Sequence, residues 1–202
     1  MNATQAVAES RWAGGVCPFE AGWKKVMMWV FIVGDGILFA GFLASYGYAR
    51  HMAADWPVIS EVFNLGLIAV MTFVLISSSA TMAVAVAAAA KGDRATVLRY
   101  LGLTIVGGAI FLGMQAYEWA HLIEAGAAPW GNPFGARMFG AYFFLITGFH
   151  GTHVLIGVLI NVITALRFGK GITTPENVEM AGLYWHFVDL VWVFVFTLFY
   201  LL

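Results

Sequence analysis

Apolar residues in this chain gather into five long runs, roughly 26–49, 63–90, 97–122, 138–166 and 181–202, separated by short polar breaks. A helix needs about 20 apolar residues to cross about 30 Å of hydrocarbon, and every run is long enough. The runs are continuous, not alternating, so the pattern predicts helices and not the strands of a membrane barrel. The breaks "RHMAADWP", "KGDR", "EAGAAPWGNPFGAR" and "FGKGITTPENVE" are too short to hold a soluble domain. The expected architecture is all-α: one integral membrane bundle of five transmembrane helices over 25–202, after a polar N-terminal segment at 1–24. No internal repeat or low-complexity tract interrupts it.

Composition agrees. Apolar residues make up 61% of the 202 and charged residues 10%, against about 45–50% and about 25% in soluble domains. Five crossings place the termini on opposite sides. One side carries Arg11, Lys24, Lys25, Lys91, Arg94, Arg99, Arg167 and Lys170, and the other only Arg50 and Arg137. By the positive-inside rule the N-terminus is expected in the cytoplasm and the C-terminus in the periplasm. Trp23, Trp56 and Trp130 fall where interfacial tryptophans anchor a span. No basic stripe points to nucleic acid. The single cysteine, Cys17, has no partner for an internal disulfide and belongs to no CxxC pattern.

Among the ionisable residues inside the runs, three carboxylates and three histidines stand out: Asp35, Glu118, His150, His153, His186 and Asp189. Such residues are rare in lipid and normally face the bundle interior or a functional path. At about 1.5 Å per residue, Asp35 lies roughly 14 Å into its run and Asp189 roughly 12 Å into the last. His150 and His153 are at i,i+3 and share a helix face, as do His186 and Asp189, which Trp185 and Trp192 bracket. If the first and fourth spans are neighbours, Asp35 can pair with the histidines of the fourth. The small residues of "SSSATMAVAVAAAA", Ser78 and Thr81 among them, suit a close helix–helix contact; a lipid-lined or substrate-lined cavity is the alternative.

From residue types alone, three uses of these polar groups stay open. The histidines could ligate haem or copper. The set could conduct protons or ions. Or it could pin helices together. A histidine pair at i,i+3 does not readily supply both axial ligands of one haem, though His150 or His153 with His186 could.

Several longer motifs carry a resemblance. "GFHGTHVLIG" (148–157) and "YWHFVDLVW" (184–192) are the strongest, and "MQAYEWAHL", "SSSATM" and "FIVGDGILFAGF" support them in the same order. Over about 24–202 the sequence resembles subunit III of the haem–copper terminal oxidases, in a short five-helix form without the first two helices of longer members. Asp35 stands where many cytochrome c oxidase members have glutamate and is more similar to the quinol-oxidase branch.

The resemblance implies a non-catalytic subunit of a proton-pumping oxidase that serves aerobic electron transport. It implies no catalytic residue and no metal or other cofactor in this chain. Haem and copper belong to a large partner, subunit I, and further contacts are expected with subunit II and small subunits. Bound phospholipid, a bacterial inner membrane and support of proton uptake follow from the same match. Asp35, Glu118, His150, His153, His186 and Asp189 become buried structural contacts; Trp185, Trp192, Ser78 and Thr81 become packing residues. A bo-type quinol oxidase is the nearest alternative assignment. A b-type cytochrome anchor and a small transporter or proton channel are alternatives of other classes.

Overall fold

The computed structural model describes residues 22–131 and 133–202. Arg11, Cys17 and most of the expected N-terminal segment lie outside the described residues. Five long helices form: α1 (Trp23–Met52), α2 (Leu65–Ala90), α3 (Arg94–Glu124), α4 (Met138–Gly169) and α5 (Pro175–Val195). A π-helical turn, Phe196–Leu201, prolongs α5, and a single helical turn, Ile59–Val62, precedes α2. Among the described residues the only β pairing is an isolated bridge between Ala128 and Gly131. All five helices are long and apolar enough to cross a membrane.

Local chemistry sets the ends. The run predicted from residue 63 starts its helix at Leu65, because the Asn64 side chain accepts hydrogen bonds from the Gly66 and Leu67 N–H groups and so supplies the N-cap. Asp93 caps α3 in the same way through Thr96 N–H. After α2, α3 and α4, a glycine with positive φ (Gly92, Gly126, Gly171) follows the helix. The next N–H then reaches back to a carbonyl five residues earlier, as in Ala127 to Leu122 at 2.9 Å, which satisfies end carbonyls in a Schellman turn.

The expected start of the last span is corrected. The helix begins at Pro175, six residues before residue 181. Its opening turns are polar, with proline at the first helical position, so a hydropathy reading stops short of them. Asp189 consequently sits about 21 Å from the start of α5, at roughly 1.5 Å per residue, deeper than the sequence alone suggested. The first helix likewise begins at Trp23, which puts Lys24 and Lys25 in its opening turn.

In the bundle α2, α3, α4 and α5 surround one core, and α1 leans on α4 and α5 from outside. α1 and α5 run parallel. At one end Lys25 meets Glu179 at 2.5 Å and Lys24 meets Glu176 at 3.6 Å. At the other end the Arg50 guanidinium donates to the Leu202 carbonyl and Tyr46 OH donates to the Phe199 carbonyl at 3.4 Å.

Missing side chains permit close approach. A Cβ on Gly108 would lie 2.5 Å from the Trp185 indole, and one on Gly157 would lie 2.8 Å from it. The Trp185 ring thus lies in a slot that glycines of α3 and α4 leave open. Dispersion in such tight contacts is a main attraction between helices in lipid, where burial from water supplies none.

Candidate functional site

Two polar seams run through the bundle. The first joins α1 to α4. His153 Nε2 lies 3.2 Å from Asp35 Oδ2, with each side chain 11% exposed. Spans one and four are therefore neighbours at this level. The contact has ion-pair length but not the alignment of a hydrogen bond.

The other ring nitrogen of His153, Nδ1, lies 2.8 Å from the Phe149 carbonyl of its own helix. A carbonyl only accepts, so Nδ1 carries a hydrogen. Nε2 is left facing the Asp35 carboxyl, in a contact close to mid-membrane. Phe39 and Phe149 pack on the His153 ring, and Tyr184 OH donates to the His153 carbonyl at 3.2 Å.

His150, one turn away, is 0% exposed. Its ring lies among Phe39, Phe111 and Trp192, with centroids 5.1 Å apart for Trp192. Beside it, α3 and α4 are joined by Gln115 Nε2 donating to the Thr147 carbonyl at 2.6 Å and by Trp119 Nε1 donating to Thr147 Oγ1 at 3.1 Å. Gly151 and Gly148 make room for those two side chains.

The second seam joins α2 to α5. His186 Nδ1 and Ser79 Oγ are 2.7 Å apart, and the Asp189 carboxyl lies against the same Ser79 hydroxyl. Trp185 Nε1 donates to Ser78 Oγ at 3.1 Å, and Trp192 Nε1 donates to Thr72 Oγ1 at 3.0 Å. Thr81 and Thr104 hydroxyls share a 2.8 Å bond between α2 and α3. The serine run thus both admits close approach and receives the hydrogen bonds of α5. Toward the C-terminal side, Tyr200 OH donates to Glu118 Oε2 at 3.3 Å.

The six ionisable residues predicted from sequence do not converge on one centre. Asp35 and His153 meet, with His150 beside them; His186 and Asp189 meet at Ser79; Glu118 stands apart with Tyr200. Gln115, Thr147, Ser79, Thr72 and Tyr200 carry seam contacts that the sequence reading did not single out. Gln115 was visible inside "MQAYEWAHL", but an amide in an apolar run does not disclose which carbonyl it reaches. Among the described residues no group of three or more His, Cys, Asp or Glu is placed to hold a metal ion. His153, His150 and His186 each have different neighbours: an aspartate, an aromatic box and a serine.

An apolar groove of about 440 Å³ opens between α1 and α5, with Gly36, Ala40 and Ala44 on one wall and Leu190, Phe194 and Leu198 on the other. At the N-terminal side of α1, a second cavity of about 390 Å³ combines Lys24, Arg167 and Asn177 with apolar residues such as Met28 and Ile163.

The model of the family described as "Cytochrome c oxidase subunit III" matches residues 5–202. The chain belongs to that family. Subunit 3 of the cytochrome bo(3) ubiquinol oxidase of Pseudomonas aeruginosa is 36% identical over 86% of this chain and 82% of its own length. Cytochrome c oxidase subunit 3 of Corynebacterium diphtheriae is 40% identical over 85% and 84%, and that of Alkalihalophilus pseudofirmus is 34% identical over 89% and 86%. As a member of the subunit III family, the chain is an integral membrane component of a haem–copper oxidase complex. The matched span includes every helix of both seams.

Proposed function

We propose that this subunit III is a non-catalytic component of a proton-pumping terminal oxidase in a bacterial inner membrane, where it stabilises the large haem–copper subunit, holds phospholipid and helps sustain proton uptake. The observation that carries this reading is the family match along the whole bundle. The seams support it, because most of the buried polar side chains bond to neighbouring helices and none converge on a reacting centre. Relatives include both ubiquinol and cytochrome c oxidases at similar identity. We favour cytochrome c as donor and keep a bo-type quinol oxidase as the second assignment. Seven of the eight cations counted to the N-terminal side, Lys24, Lys25, Lys91, Arg94, Arg99, Arg167 and Lys170, lie in or beside described helix ends. That bias supports a cytoplasmic N-terminus.

The bound phospholipid has two candidate seats. The α1–α5 groove suits acyl chains, and the Lys24–Arg167 cavity suits an anionic headgroup above them. Asp35, set in α1 against His153, is the residue through which this subunit contributes to proton uptake by the complex. The test is affinity purification of the tagged chain from solubilised membranes, with haem analysis and lipid extraction of what copurifies. A larger haem-bearing subunit is expected in equal amount. Purification of the intact chain without any haem protein would reject the reading.

A further inference from the structure

The C-terminal-side end of α3 holds a feature that the assembly role leaves unused. Glu118 is 5% exposed. One carboxyl oxygen, Oε2, accepts from Tyr200 OH, and the other, Oε1, has no partner within the protein. The side chain lines a cavity of about 100 Å³ between α3 and the start of α2, together with His121, Asn64 and Tyr117. His121 is exposed, and Tyr117, 65% exposed, stands at the rim, so the space opens at the bundle surface near the C-terminal end of α3. Asn64 uses its side-chain oxygen on the cap of α2. No lysine or arginine lines the space.

The sequence Glu118-Trp119-Ala120-His121 sets a carboxylate and an imidazole at i,i+3 on one helix face, a spacing from which both can reach one ion. Both residues lie in the last two turns of α3, which ends at Glu124, where the helix dipole favours a cation. At about 30 Å³ per water, the cavity holds roughly three waters, enough to complete a coordination shell. A mixed oxygen and imidazole set suits zinc-type ions more than magnesium or calcium, which prefer oxygen alone.

We propose that Glu118 and His121 bind one divalent transition ion of the zinc type, drawn from the aqueous phase on the C-terminal side, with water completing its shell. Because the second carboxyl oxygen of Glu118 holds Tyr200, the ion ties α3 to the terminal turn of α5.

The test titrates Zn²⁺ into the purified, chelator-stripped oxidase complex and counts bound zinc, with Co²⁺ as a spectroscopic stand-in. His121→Asn changes an exposed side chain and leaves the core intact. It is expected to weaken this site by roughly tenfold or more, to bind one zinc fewer per complex, and to lose the cobalt bands of an imidazole-bound ion. Glu118→Gln, isosteric and still able to accept from Tyr200, is expected to do the same. His51→Asn, exposed at the same side on α1, is expected to bind as wild type. Zinc counts and cobalt spectra unchanged in both His121→Asn and Glu118→Gln would overturn the proposal, as would a wild-type complex that binds no zinc.

Discussion

α1 and α5 lie side by side, run in the same direction and are both fit to span lipid, yet they meet different surroundings. The most apolar stretch of α1 has a mean hydropathy of 2.1 and 6% of its residues buried; that of α5 has 1.6 and 50%. The more apolar helix is the more exposed one. In water the reverse is the rule. In a bilayer, hydropathy reports insertion, and the interior is marked by groups that lipid cannot satisfy. On α5 those are Trp185, His186, Asp189 and Trp192, all bonded or set against partners. On α1 they are fewer, Asp35, Ser45 and Tyr46 among them, while Trp29, Val30 and Ile37 face outward.

The contrast predicts where substitutions hurt. Trp185→Ala should cost the most, about 3–5 kcal/mol, because it empties the slot between Gly108 and Gly157 and removes a bond to Ser78. Thermal unfolding in detergent should show it as a large fall in Tm or loss of the subunit from the complex. Trp29→Ala on α1 should stay within about 0.5 kcal/mol; a comparable loss at both sites would break the comparison.

Next in size is Gly151→Val. Its Cβ would meet the Gln115 amide at 2.7 Å, and overpacking of this kind costs about 1–3 kcal/mol. On α1, Gly41 has nothing within 4 Å of an added Cβ, and Gly41→Ala should be neutral or slightly stabilising by the same melt, since alanine is the better helix former.

A smaller effect sharpens the contact of Asp35 on α1 with His153 on α4. A double-mutant cycle with Asp35→Asn and His153→Gln should give a coupling of about 0.6 kcal/mol and no more than about 1.7, the average and maximum measured for polar contacts between membrane helices. Zero coupling would mean that the 3.2 Å approach contributes nothing to α1 docking. If turnover, pumping and assembly all persist in Asp35→Asn, the proton-uptake role of this residue falls while its structural one stands.

The smallest effect lies outside the membrane. Thr96, through its hydroxyl and N–H, holds the Asp93 carboxyl below its ordinary value, about 3.9 in a free chain. A carboxyl depressed on folding adds stability that is fully present above the unfolded value and is lost as pH falls through the folded one. Asp93→Asn, still a good cap, should therefore flatten the acid limb of stability below about pH 4 and leave neutral pH nearly unchanged. A pH series of melts checks this.

Much of the fold was legible because lipid imposes one strict demand, an unbroken apolar helix, and five runs met it. The missed stretch, 175–180, obeys a different rule: Glu176 and Glu179 are polar because they answer Lys24 and Lys25 across the interface, which no window over α5 alone can register. The i,i+3 pairs of histidine and aspartate were visible as faces. The pairing of Asp35 with a histidine of the fourth span was legible only on the condition that α1 lies against α4, which the structure meets at His153; the Ser79 partner of His186 was not. Glycines 108, 151 and 157 gave no signal of their own, because a seat for an indole or an amide is defined by the helix opposite.

The central claim is that the polar groups of this bundle fasten helices and do not hold a redox centre. The most direct measurement is the visible spectrum of the chain after mild separation from its copurifying oxidase subunits, with haem and copper counted in each fraction. The account expects no Soret band on this polypeptide and all haem and copper in the other fraction. A Soret band retained by this polypeptide, at one haem per chain and abolished by replacing His150, His153 or His186, would contradict it.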